Sequence, residues 1–114
     1  MKSRISLVAL VVVVALLAST VAWAFPAYLK VFTATYKVKP NSALAKASCG
    51  TCHVAANKTD KLNPFGLDLK KNLVGGKVTK ASLAKVEKLD SDKDRVSNIK
   101  EIKACTLPGN PKSK

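Results

Sequence analysis

The stretch Ser42-Ala43-Leu44-Ala45-Lys46-Ala47-Ser48-Cys49-Gly50-Thr51-Cys52-His53 decides how the rest of the chain is read. Ser42 is a helix cap, Ala43 to Ala47 are helix formers, and that helix runs directly into a Cys-x-x-Cys-His pentapeptide. Two thiols three residues apart at a helix end can reach one edge of a porphyrin and form thioethers with its vinyl groups, while the next residue's imidazole turns under the ring toward iron. Gly50 and Thr51 are small enough to let a macrocycle lie close to the backbone. The motif points to one covalent haem c, with Cys49 and Cys52 carrying the thioethers and His53 on the iron. Two other chemistries use the same residue types. A redox-active Cys-x-x-Cys calls for alternating strands and helices, and a zinc centre built on Cys49, Cys52 and His53 lacks the usual second pair of ligands.

Working outward, Phe25, Tyr28, Leu29, Phe32 and Tyr36 fall on one helical face, suited to a core or to an aromatic wall against a flat cofactor. Asn63-Pro64 marks a turn, after which Phe65, Leu67, Leu69 and Leu73 predict a short helix ending at Gly75-Gly76. Thr79 caps a further helix with the stripe Leu83, Val86 and Leu89, and Ile99, Ile102 and Ala104 predict a last one. No segment alternates apolar and polar residues for long enough to predict a strand. The expected fold class is all-α: a small helical domain over 25–106 wrapped around one haem, preceded by a hydrophobic N-terminal helix and followed by a flexible basic tail over 107–114.

The chain of 114 residues has room for one domain. Its 47% hydrophobic content is concentrated in the first 24 positions, so the remainder is poor in core residues and a bound macrocycle would supply part of the missing interior. Lys2 and Arg4, the uncharged stretch from Ile5 to Ala18 and the small-x-small sequence Ala22-Trp23-Ala24 predict a signal peptide over 1–24, cleaved before Phe25. An uncleaved membrane anchor through 5–24 is the other reading. Both place the rest of the chain in a periplasmic or extracellular compartment, the side on which covalent haem attachment takes place.

Near the C-terminus, Asp90-Ser91-Asp92-Lys93-Asp94-Arg95-Val96-Ser97-Asn98-Ile99-Lys100-Glu101 sets oxygen donors at loop positions 1, 3, 5, 9 and 12, with the Val96 carbonyl at 7. Four of the chain's seven acids lie here. Asp90, Asp92, Asp94, Val96, Asn98 and Glu101 are therefore candidate Ca²⁺ ligands; the alternative is a solvated, helix-capping acidic turn. The loop is similar to EF-hand, dockerin and thrombospondin type 3 calcium loops, except that Arg95 stands where a sharp turn favours glycine.

The helix from Ser42, the motif Cys49 to His53 and the segment Asn63-Pro64-Phe65-Gly66 together resemble a small exported monohaem cytochrome c. The resemblance implies a compact α-helical fold around the haem and one-electron transfer, not enzymatic turnover. Members of that family usually bring a downstream methionine to the iron, and Met1 is the only methionine here. The sixth position is then open, or filled by a lysine amine, the Cys105 thiolate, a tyrosine or the α-amine of Phe25, with open iron the first expectation and an amine the second. Open iron would suit the alternative function, a ligand-sensing or peroxidase-like haem protein.

A formal charge of +13 shapes the choice of partner. The lysines are dispersed and not interleaved with aromatic residues, so nucleic acid is not the expected partner. An acidic redox protein or an anionic membrane surface fits better.

Overall fold

The computed structural model describes residues 26–114, and the predicted leader over 1–24 lies outside the described residues. The described chain folds into five α-helices and one two-stranded antiparallel sheet: α1 (Pro26–Tyr36), α2 (Ala43–Ala47), a 3₁₀ turn (Ser48–Thr51), β1 (His53–Ala55), β2 (Lys58–Leu62), α3 (Pro64–Lys71), α4 (Lys80–Val86) and α5 (Asn98–Lys103). No helix among the described residues is long and apolar enough to cross a membrane.

The expectation of an all-α fold is therefore corrected to a mixed α/β one. His53 pairs with Leu62 and Ala55 with Lys58, with an irregularity in register between them. The hairpin left no trace in the hydropathy pattern because Lys58-Thr59-Asp60-Lys61 is polar and wholly exposed. It is held by its pairing and by what it leads into, not by burial of an apolar face.

The helices follow their predicted starts. Ser42 accepts from the Ala45 amide at 3.1 Å. Thr79 and Ser82 form a reciprocal capping box, each side chain accepting from the other's backbone amide. The predicted end at Gly75-Gly76 shifts: α3 stops at Lys71, and the two glycines, at φ 59° and 71°, make a tight turn that closes the Val74–Lys77 bridge.

The core is Phe32 of α1, Leu44 of α2, Phe65 and Leu69 of α3, Leu83 and Val86 of α4 and Ile102 of α5. Phe32 packs edge-on against Tyr36 and Phe65, with ring centroids 5.1 and 6.1 Å apart. Leu89, expected on the α4 stripe, lies beyond the helix and is exposed. The chain after α5 is anchored where a loose tail was expected, since Pro108 and Gly109 are buried.

Candidate functional site

Cys49, Cys52 and His53 lie on the wall of one cavity of about 460 Å³, within the 300–1,000 Å³ typical of small-molecule and cofactor sites. Tyr28, Leu29 and Phe32 of α1 form one wall, Leu62 and Thr59 of β2 another, and Gly66, Leu69, Lys70 and the following Leu73 a third. The aromatic face of α1 thus contributes to this space as well as to the core; Phe25 lies outside the described residues.

Local structure fixes the motif. The 3₁₀ turn gathers Cys49, Gly50 and Thr51 and passes the chain to β1 at His53. Asn63 then clamps the whole turn. Its side-chain amide donates to the carbonyls of Gly50, Thr51 and His53 at 3.2, 3.0 and 3.1 Å, while its Oδ1 accepts from the Gly66 amide at 2.9 Å and so caps α3. The Asn63 amide also donates to the Cys52 carbonyl at 2.9 Å. Gly66 packs so close to Cys52 that a Cβ there would strike its carbonyl oxygen, so α3 is held against the motif by backbone contact.

Asn63 is in turn backed by Gly109, where a Cβ would come within 2.5 Å of Asn63 Oδ1. The Asn63 amide cannot swing away without breaking its hydrogen bonds, so Gly109→Ala is expected to cost about 1–2 kcal/mol of stability. Urea unfolding checks the outcome.

The chemistry of the donor set suits a haem. All three cysteines carry free thiols. Burial, and then the neighbouring Cys49, pushes the Cys52 thiol up to about 12, which keeps it protonated and uncharged in the apolar wall. His53 Nδ1 and Thr51 Oγ1 are buried without a hydrogen-bond partner, which leaves Nε2 as the accessible ring nitrogen of His53. Cys105, weighed as an iron ligand, is not on the cavity wall; it packs against the core at φ 62°.

The acidic loop forms a second centre. Asp90, Asp92 and Asp94 each bring a carboxylate oxygen within 4.8 Å of the others. Asp90 accepts from the amides of Asp94 and Arg95 at 3.1 and 2.8 Å, and Asp94 accepts from the Val96 amide at 2.9 Å, so the acids also fold their own loop. Lys93 and Arg95 take left-handed backbone at φ 61° and 74°, the conformation that glycine would adopt at lower cost. Glu101 is 3% exposed, and both its carboxylate oxygens are buried without a partner, as is Asp92 Oδ2. Burial, and then the negative charges of Asp92, Asp94 and Asp90, raises the Glu101 carboxyl to about 7. Burial also raises Asp92.

Asn98, proposed from its spacing as a cation ligand, is engaged elsewhere. It is fully buried, accepts from the Ser91 amide at 3.2 Å and donates to the Val86 carbonyl and Ser91 Oγ, both at 2.8 Å. Ser91 Oγ donates to Asp68 Oδ2 at 2.8 Å, which ties the acidic loop to α3.

No protein-family model, curated protein or solved structure matches the chain.

Proposed function

We propose that the protein is an exported c-type cytochrome that holds one covalent haem in the cavity beside Cys49, Cys52 and His53 and relays single electrons between partner proteins. The observation that carries this reading is the convergence of both motif thiols and the motif imidazole on one largely apolar cavity of about 460 Å³. Haem, when bound, supplies the one-electron couple. The chain's own residues do the rest. Cys49 and Cys52 attach the ring, His53 offers Nε2 to the iron, and Leu29, Phe32, Leu62 and Leu69 keep water from it. Asn63 holds the three carbonyls of the attachment turn so that the thiols and the imidazole keep one relative placement. The lining elements β2 and α3 also carry the exposed Lys58, Lys61 and Lys71, which suits a docking face for an acidic redox protein.

Protein matured in an export-competent host is expected to exceed the mass of the apoprotein by one haem and to keep that mass after denaturation. Cys49→Ala with Cys52→Ala should remove it. A haem that extracts into acidified organic solvent from the unaltered chain would overturn the reading.

A second reading concerns the acidic loop, where the specific observation is Glu101: a buried carboxylate with no hydrogen-bond partner, beside three aspartates. Such a group is costly to bury unless protonated or paired with a cation. We propose that Asp90, Asp92, Asp94 and Glu101 hold a Ca²⁺ ion, which suits an all-oxygen donor set.

A further inference from the structure

The haem reading leaves the iron face opposite His53 without a ligand, and the cavity wall narrows the choice. Of the side chains weighed for that position from the sequence, Cys105 is absent from the wall, whereas Tyr28 and Lys70 are on it. Lys70 is the only cationic side chain lining the cavity among the described residues. It sits on α3 between Gly66 and the position of Leu73, at the i, i+4, i+7 spacing of one helical face. The other residues of that face, Gly66 and Leu73, are small or apolar, and Lys70 is the one that brings an amine to the edge of the cavity. No described acid pairs with Lys70, whereas its neighbour Lys71 lies 3.9 Å from Asp68.

The base of that helix is also fixed. Gly66 abuts the Cys52 carbonyl, and Asn63 joins the first turn of α3 to the attachment turn, so Lys70 rises one helical turn above a backbone whose distance from the thiols cannot drift. Four flexible methylenes give the amine reach into an apolar space, and a neutral amine is a good nitrogen donor to iron. Tyr28 offers a phenol at the end of a short rigid ring, which has less reach than the lysine stem.

We propose that the Lys70 amine is the second axial ligand of the haem iron, opposite His53. This rests on the haem reading and deepens it. Iron closed on both faces by nitrogen suits electron relay, whereas a sensor or a peroxidase needs one face open.

The test uses the haem-loaded protein, with equal haem content across variants showing that each has folded. Low-temperature electron paramagnetic resonance and near-infrared magnetic circular dichroism read spin state and ligand type directly. The unaltered protein is expected to be low-spin with two nitrogen ligands. Both Lys70→Ala and Lys70→Arg should turn high-spin and bind added imidazole about tenfold or more tightly, because the site is no longer closed by its own ligand. Tyr28→Phe should leave the spectra unchanged.

A high-spin unaltered protein would overturn the assignment while leaving the haem reading intact. So would a Lys70→Arg variant that keeps the original spectrum, which would show that the position serves by its charge, pairing with a haem carboxylate. Loss of low-spin character in Tyr28→Phe alone would give the position to the phenolate. Absence of covalent haem in the unaltered protein would remove the reading itself.

Discussion

Replacing Asn63 with alanine is expected to lower stability by about 3–5 kcal/mol, a large part of the ~5–15 kcal/mol that holds a typical domain together. One side chain is involved in two tasks. Loss of the α3 cap accounts for about 1 kcal/mol. The carbonyls of Gly50, Thr51 and His53 then lose their shared donor, the Thr51 bond buried and the other two partly so, at about 1–3 kcal/mol for each that water cannot reach. Asn63→Asp separates the two tasks, because an Oδ atom can still accept from Gly66 while nothing donates to the three carbonyls, and the new charge is buried. It should therefore be no more stable than Asn63→Ala despite retaining the cap. Denaturant midpoints of the two variants check the ranking. An Asn63→Ala protein within 1 kcal/mol of the original would show that the clamp is redundant.

The sequence made the helices legible because each had a local signal. Ser42 and Thr79 are capping residues with hydroxyls, and the caps they form are closed within three residues. Phe32, Leu83, Val86 and Ile102 follow helical spacing and are buried where that spacing puts them. The Cys-x-x-Cys-His spacing likewise told which residues share a site, since five consecutive positions cannot lie far apart.

What stayed hidden depends on contacts between distant segments. Asn63-Pro64 reads as a turn, and nothing nearby says that the Asn63 amide reaches back 10 to 13 residues to three carbonyls. Gly109 reads as chain-end punctuation, whereas its lack of a side chain makes room for Asn63. The hairpin is invisible because β2 buries little; its strands follow the 3₁₀ turn at one end and lead into α3 at the other. Asn98 carries a task that its loop position does not reveal: its buried side chain joins Ser91 to the Val86 carbonyl. Arg95 kept the left-handed conformation of the loop without the residue that usually adopts it, so the backbone pattern outlived the expected glycine.

In a chelator, the protein is expected to lose stability as pH rises from about 5 to 8. The sign follows from Glu101: its carboxyl is raised to about 7 in the fold from an ordinary 4.5, so between those values the folded state holds a proton that the unfolded state has released. Stability falls wherever the folded state binds more protons and pH increases, here by on the order of 2–3 kcal/mol across the window. The α5 backbone that carries Glu101 is fixed, since the Glu101 amide donates to the Ser97 carbonyl and its own carbonyl accepts from the Thr106 amide and hydroxyl. Ca²⁺ should reverse the trend, because the ion takes the place of the proton. At about 10 mM, with affinity in the weak extracellular range of ~10⁻⁴–10⁻³ M, the gain at pH 8 is about 1.4–2.7 kcal/mol and should shrink toward pH 5. Glu101→Gln provides the decisive contrast, being more stable than the original at pH 8 in chelator and unresponsive to Ca²⁺. Thermal melts at pH 5 and 8, each in chelator and in Ca²⁺, measure all of these. Identical melts of the two proteins under the four conditions would leave the acidic loop as a capping turn that holds no ion.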